Sequence, residues 1–389
     1  MKNVLIINQS AELYGADKAI LELINNFPVN YTPIVVLHEE GPLKSLLEKK
    51  GIQVIKTSVI KVKRGVLKPS FFLKLPFEII KSFVVIKNQL RGKKIHLIHS
   101  NATSVFIGAF YSFFFRIPHL WHVHEIIEKP KRISLIYPKI INFFSKRVVF
   151  NSIATANHFT TILPKIKRKS VIIHNGQERG LDKSSLNEIT KIRASFIADF
   201  NNKIIIGLIG RISEIKGQDL LIDAYILLLE KHNNIHLVFI GSAVKGKEDY
   251  LNKVLEKIKK NSLEDKITFI DFQENIWPYY DALDVIVVPS TEKESFGLVA
   301  TEAMLSKKPV IAANHGGLLE IVKLEETGLF FKANDSKDLA EKIEFLLNNQ
   351  NLISIYGENG YIRVNEFFST KNFITKFKQE YDELTNEVN

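Results

Sequence analysis

The sequence predicts an α/β protein built from two doubly wound parallel-sheet domains. Three observations carry that expectation. Continuous apolar runs such as Lys203-Ile-Ile-Ile-Gly-Leu-Ile-Gly210 and Val285-Ile-Val-Val-Pro289 have the composition of strands covered on both faces. These runs alternate with helical stretches along the whole chain, which is the rhythm of βα units. A polar stretch from Asn175 to Lys191, with Gly176, Gly180 and Ser184-Ser185, reads as the linker between two series of strands. A chain of 389 residues with 46% apolar content can bury two cores. The expected boundaries are 1–180 and 195–365, with 366–389 as a helical tail.

In the first half, strands are expected at 3–7, 33–37, 95–99, 119–124, 147–151 and 170–174. Asn3-Val-Leu-Ile-Ile7 leads through a loop into the amphipathic segment Gly15-Ala-Asp-Lys-Ala-Ile-Leu-Glu-Leu-Ile24, so Gly15 sits where a first strand hands over to a first helix. His119-Leu-Trp-His-Val-His124 alternates along a strand and leaves His124 at its carboxyl edge, followed by Glu125. A metal reading of His122, His124 and Glu125 is weak, because two histidines on one strand lack a recognisable third ligand. Hydrogen-bonded core histidines are the competing reading.

In the second half, strands are expected at 203–210, 235–241, 267–271, 285–289 and 309–312. Gly210 ends the first of these, so Arg211 lies at the carboxyl end, beyond which ligands bind in open α/β sheets. Arg211 can fork two phosphate oxygens while Lys216 adds a point charge, each such bond contributing roughly 1.5–3 kcal/mol. An ordinary solvated loop is the alternative. Ser290 to Glu294 reads as a loop, and Ser295 to Glu302 as a loop running into a helix. Glu294 then lies at the helix mouth, Glu302 one to two turns inside, and the N–H groups of Phe296, Gly297 and Leu298 point outward to favour an anion. Carboxylates accept from vicinal hydroxyls, so the pattern suits a diphosphate with sugars on either side. Glu302 as a merely exposed helical residue is the bland alternative.

Arg211 with Lys216, the Glu294-x7-Glu302 spacing, Val287-Val-Pro-Ser290 and Gly297-Leu-Val-x-x-Glu-Ala303 together resemble the retaining glycosyltransferases of family 4, which have the GT-B fold of two Rossmann-like domains. The resemblance spans nearly the whole chain and is strongest from 203 to 330. It implies an N-terminal acceptor-side domain, a C-terminal domain for a nucleotide-sugar donor, and a tail helix that crosses back. It also implies that the two domains face a central cleft and that the donor diphosphate meets Arg211 and Lys216, its ribose Glu302 and its sugar Glu294, with the base near Gly241 and Phe272-Gln273; Gly210 counts among the donor-binding residues. His124 corresponds to a histidine used against the donor sugar, although Glu125 stands where the family commonly has Asp. Gly15-Ala16 stands where the family often has two glycines near the donor phosphates and the acceptor. Gly316, Gly317 and Glu320 resemble the family's glycine turn after Pro309-Val-Ile-Ala312. The implied activity is transfer with retained configuration and no evident enzymatic nucleophile, to a cell-surface glycan or lipid-linked acceptor such as lipopolysaccharide or capsule. A nucleotide-sugar epimerase of the same architecture and a non-catalytic nucleotide-sugar binder are the other classes. A dehydrogenase is disfavoured, since neither first-strand turn contains Gly-x-Gly-x-x-Gly. The sequence has no Asp-x-Asp pair, so no metal or other cofactor is expected and the leaving diphosphate falls to cations and a helix mouth.

Charge is uneven. Residues 1–190 hold 29 Lys and Arg against 12 Asp and Glu, whereas the remainder is net −6. The excess concentrates at Lys61 to Lys94, where Glu78 is the one acid, and at Lys165-Ile-Lys-Arg-Lys169. Phe72, Leu75, Ile79, Phe83, Ile86 and Leu90 recur there at helical spacing. Such a stripe fits either a membrane-facing helix or an ordinary domain helix with its stripe in the core. The field suits an anionic membrane surface, and no nucleic-acid recognition motif accompanies it. The run Val4 to Ile7 is too short for a signal peptide, and Ser100 to Phe115 falls short of the ~20 residues needed to span a bilayer. The expectation is a cytoplasmic protein, peripheral on the inner face of the membrane. With no cysteine in the sequence, disulfides and thiolate catalysis are excluded.

Overall fold

The apolar runs become the strands of two all-parallel sheets. The computed structural model describes residues 1–61, 69–180, 184–243, 246 and 248–386. Lys63, Arg64 and Lys68 of the basic stretch, the side chain of Phe72, residues 181–183 of the expected linker and 387–389 of the expected tail lie outside the described residues.

The first compact unit comprises residues 1–176 and 370–389. Its strands are β1 (Lys2–Asn8), β2 (Tyr31–Leu37), β3 (Gln53–Lys56), β4 (Ile95–Asn101), β5 (His119–Val123), β6 (Arg147–Phe150) and β7 (Ser170–Ile172). They are ordered β3-β2-β1-β4-β5-β6-β7, so winding reverses between β1 and β4. In register, Ile6 pairs with Val35 on one side and His99 on the other. Val4, Leu5, Ile6 and Ile7 are wholly buried, as a central strand covered on both faces requires. One face packs against helices Pro69–Leu90, Ile107–Phe115 and Lys131–Phe144. The other packs against Gly15–Asn25, Pro42–Lys49 and Thr370–Asn386. Each fully buried Leu, Ile or Phe in these layers contributes about 1.5–3 kcal/mol.

Helix Pro69–Leu90 turns Leu75, Ile79, Phe83, Ile86 and Leu90 into this core, so the apolar stripe noted in the sequence is a packing surface. The tail helix Thr370–Asn386 lays Phe373, Phe377, Tyr381 and Leu384 on the opposite face. His99 Nδ1 lies 2.7 Å from the Tyr381 hydroxyl, and Arg147 pairs with Glu380 and Glu383, each at 2.6 Å. A Cβ on Gly176 would lie 2.5 Å from Phe373 Cβ, so the chain leaves this unit hard against the returning tail.

The second unit is 177–369. Its strands are β8 (Ile204–Ile209), β9 (Ile235–Ile240), β10 (Ile267–Ile270), β11 (Val285–Val288), β12 (Val310–Ala313) and β13 (Gly328–Phe331), ordered β10-β9-β8-β11-β12-β13. Part of the expected linker is ordered here. Arg179 makes a bidentate pair with Asp281 at 2.6 and 2.5 Å and lies over the Trp277 ring. Ser185 accepts from Glu188 N at 3.2 Å and caps helix Leu186–Phe196, an N-cap with Glu at the third position that starts a helix inside the polar stretch. Among the described residues no helix is long and apolar enough to cross a membrane.

Candidate active site

In the second unit β8 and β11 are neighbours although β9 and β10 intervene in the chain, so winding reverses between them. In open α/β sheets the strand ends beside such a reversal are the usual ligand site. The loop after β8 runs from Gly210 to Gly217 and the loop after β11 from Pro289 to Gly297. They are stitched together by Thr291 N donating to Ile215 O at 3.1 Å and Thr291 Oγ1 to Glu214 O at 3.0 Å. Gly217 has φ +76°, and a Cβ there would come within 2.0 Å of Pro289 O, so only glycine permits this approach.

That stitching brings Lys216 Nζ to 2.5 Å from Glu294 Oε1, across 78 residues of chain. Ser290 Oγ donates to the same oxygen at 2.6 Å. Both charged side chains are only 20% exposed. Burial pushes the Glu294 carboxyl up; the Lys216 charge and the hydrogen bonds from Lys216 and Ser290 more than reverse this, and it stays ionised below the usual range. A third loop, after β12, closes on the same residue. Gly317 N donates to Glu294 O at 2.7 Å, His315 Nε2 lies 2.9 Å from Ser290 O, and Gly316, at φ +65°, passes so close that a Cβ would stand 2.3 Å from Glu294 O. Three neighbouring strand ends therefore fix one carboxylate.

Gly297, at φ +113°, caps helix Leu298–Leu305, whose first turn leaves N–H groups without intrahelical partners. The Phe296 ring is buried, edge-on to Phe368 at 5.8 Å; Leu298 is half-buried. Glu302 is buried, not an exposed helical glutamate. Its Oε2 accepts from the Tyr280 hydroxyl at 2.8 Å and its Oε1 from Gln177 Nε2 at 3.2 Å. Arg211 is exposed beyond β8, and its carbonyl accepts from Gln218 Nε2 at 3.0 Å. Gly210 lies beside the aliphatic stem of Lys216. Gly241, at φ +137°, passes over the Gly210 carbonyl, where a Cβ would be 2.1 Å away, so the ends of β8 and β9 close together. Phe272 is exposed with its N–H held by Ser242 Oγ at 3.0 Å, and Gln273 Nε2 donates to Asp271 O at 3.1 Å.

Sequence reasoning found Lys216 and Glu294 separately but not their pairing, and it missed Tyr280, Gln177 and His315. His315 immediately precedes the glycine pair and could have been noticed for that reason. Tyr280 and Gln177 carry no local signal, because each reaches the site from a distant stretch of chain.

Gly15 and His124 belong to the first unit. Gly15 is exposed at the start of its helix. His124 is buried at the end of β5, with Nε2 2.7 Å from Asn101 Oδ1 and 3.1 Å from His122 Nδ1. Asn101 Nδ2 donates to Asn8 Oδ1 at 2.7 Å and to Ala16 O at 3.1 Å, so Asn101 Oδ1 is the acceptor and His124 Nε2 carries the proton. His124 Nδ1 is then an acceptor, buried and without a hydrogen-bond partner among the described residues. The network continues through Asn8 to Asp17 at 2.7 Å and Ser10 at 2.5 Å, at the β1/β4 reversal. Burial depresses His124 to about 3 and pushes Asp17 and Glu125 up, the latter holding the Thr103 N–H and hydroxyl. His122 is a core histidine in this network.

Comparison with known proteins finds similarity to glycosyltransferases. The family model described as Glycosyl transferases group 1 matches residues 190–363, and that described as Glycosyltransferase Family 4 matches residues 15–178. The capsular polysaccharide biosynthesis glycosyltransferase CapM of Staphylococcus aureus is 30% identical over 233 residues, 57% of each chain. The lipopolysaccharide core biosynthesis mannosyltransferase LpsB of Rhizobium meliloti is 30% identical over 184 residues, 47% of this chain and 52% of that one. The match thus spans about half the length of these curated relatives. The crystal structure of Anabaena HepE in complex with UDP is 26% identical with a TM-score of 0.84, covering 98% of this chain and 100% of that one.

Proposed function

The chain belongs to glycosyltransferase family 4 and has the GT-B fold, and from that premise we propose that it transfers a sugar from a nucleotide-diphosphate sugar to a hydroxyl of a cell-surface glycan or lipid-linked acceptor, with retention of configuration. The observation that carries the reading is the convergence of Lys216, Glu294 and the Gly297 helix start on adjacent strand ends of the second unit. The names of CapM and LpsB support a capsule or lipopolysaccharide acceptor, and the UDP bound to HepE supports a nucleotide-linked donor.

In this reading Arg211 and Lys216 hold the diphosphate, with the N–H groups of Phe296, Gly297 and Leu298 aimed at the same charge. Glu294, fixed and ionised, accepts from sugar hydroxyls. Glu302 takes ribose hydroxyls in place of its Gln177 contact. Gly241, Phe272 and Gln273 border the base, Gly15 borders the phosphates and acceptor, and His124 is the candidate contact to the donor sugar. The acceptor hydroxyl attacks on the face that the diphosphate leaves, and a departing phosphate oxygen takes its proton. Lys216, Arg211 and the helix start stabilise the growing negative charge, so this chemistry asks for no metal ion.

A panel of UDP-, GDP- and dTDP-sugars tests the proposal. We expect one nucleotide class to raise the melting temperature and to be turned over only when acceptor is present. Conversion of the donor sugar without acceptor would instead indicate an epimerase, and binding without turnover a non-catalytic binder.

A further inference from the structure

The helix layer Pro69–Leu90, Ile107–Phe115 and Lys131–Phe144 has a second apolar surface, on the side away from its sheet. On the first helix Leu73, Phe77, Ile80 and Val84 recur at helical spacing and point to solvent, Phe77 being 75% exposed. The other two helices add Phe113, Phe114 and Phe143, the last two 64% and 69% exposed. The three phenylalanines adjoin one another and reach the first helix through half-buried Phe83. Phe83, next to Val84, lies 5.7 Å from Phe114, Phe113 lies 5.9 Å from Phe114, and Phe143 lies 6.4 Å from Phe113, all between ring centroids. Single exposed apolar residues are ordinary, but a contiguous aromatic and aliphatic surface marks a partner.

Charge identifies the partner. The same helices carry exposed Lys74, Lys81, Lys87, Lys131, Arg132 and Lys139, with Glu78 as their one acid. We propose that this outer face is a docking surface for an anionic lipid bilayer, into whose headgroup region the phenylalanines and leucine insert while the cations reach the lipid phosphates. Helices lying in the interface plane bury apolar side chains to about 5–10 Å, and Lys and Arg stems extend past them to the charged layer. A second copy is a poor occupant, because a two-fold interface would set the cationic patch against itself. The surface belongs to the first unit alone and stands apart from the donor chemistry, so its test is separate from that of glycosyl transfer.

Cosedimentation of the purified full-length chain with vesicles of phosphatidylcholine, alone or mixed with phosphatidylglycerol, tests the inference. Binding is expected to be at least about tenfold stronger to the mixed vesicles and to weaken as salt rises. The triple variant Phe77→Ser, Phe114→Ser, Phe143→Ser should lower partitioning on the order of a hundredfold or more, from lost insertion. Lys74→Gln, Lys81→Gln, Lys139→Gln together should lower it by about a hundredfold, from lost attraction. Both variants change only exposed side chains, so melting temperature and donor turnover in detergent-free buffer should be retained. Equal binding to neutral vesicles, unchanged binding by either variant, or burial of the patch in a concentration-dependent dimer seen by light scattering would overturn the proposal.

Discussion

Replacing Lys216 by alanine removes the ammonium that Glu294 holds at 2.5 Å. The pair is partly buried, with each side chain 20% exposed, so solvent screens some of its worth. Glu294 would keep the Ser290 hydroxyl at 2.6 Å. The stability loss is therefore of order 1–3 kcal/mol, below the 3–5 typical when a fully buried partner is removed. For a chain of 389 residues that is roughly a 1–4 °C fall in melting temperature. The effect on the reaction is expected to be much larger, about 10²–10³ in turnover, because the same ammonium is proposed to neutralise the departing diphosphate. Lys216→Arg keeps the charge with a different reach and should recover only part of the rate. With Lys216 gone, burial of Glu294 is opposed mainly by Ser290, so its carboxyl rises and the acid limb of the activity profile should move to higher pH. Purified variants assayed for donor-dependent transfer across pH, alongside thermal melting, give all three readouts. A folded Lys216→Ala protein with turnover within about threefold of the parent would refute the assignment, since electrostatic donors of this type are worth far more.

Two further outcomes follow from the geometry. His99, His119, His122 and His124 are buried and neutral, with burial holding His99 and His124 down to about 3 and His119 to about 4. The unfolded chain binds their protons near pH 6.5, so the stability they permit is complete above that pH and is lost as pH falls below it toward the folded values. Between pH 7 and 5.5 each should remove roughly 1 kcal/mol. Urea unfolding should show the midpoint falling over that window, and His99→Phe should reduce the slope; a slope unaltered by the substitution would contradict the burial argument. Gly316→Ala forces a Cβ against the Glu294 carbonyl at positive φ, and is expected to lower stability by about 1–3 kcal/mol and to displace Glu294 from Lys216. Unimpaired donor binding in calorimetry would count against the role of that turn.

What the sequence shows best is what is buried on both sides. β1, β4, β8, β9 and β11 announce themselves as unbroken apolar runs because neighbouring strands flank them and helices cover them. The strands absent from the sequence reading, β3 and β13, are edge strands with one neighbour each; β3 is bounded by Gln53 and Lys56 and β13 opens on Gly328, so neither reads as an unbroken apolar run. Helix Pro69–Leu90 exposes a different limit. Helical spacing correctly links Leu75, Ile79, Phe83, Ile86 and Leu90, but a second stripe through Leu73, Phe77, Ile80 and Val84 has the same period, and only packing shows which one is inside. At the site, Arg211, Lys216, Glu294 and Glu302 stand out through residue type and spacing. The Lys216–Glu294 pair does not, because it depends on β8 and β11 being neighbours, a fact of sheet order that no local pattern encodes.

The return of residues 370–386 to the first sheet has a consequence for how the chain is made. The seven strands of that sheet leave the ribosome early, yet the face that Phe373, Phe377 and Tyr381 cover must wait until the whole insert 177–369 has been synthesised. At roughly 5–20 residues per second that delay is on the order of ten to forty seconds. The insert, contiguous in the chain, can fold first, while the earlier-born half stays open along one greasy flank and exposed to chaperones until its last helix arrives.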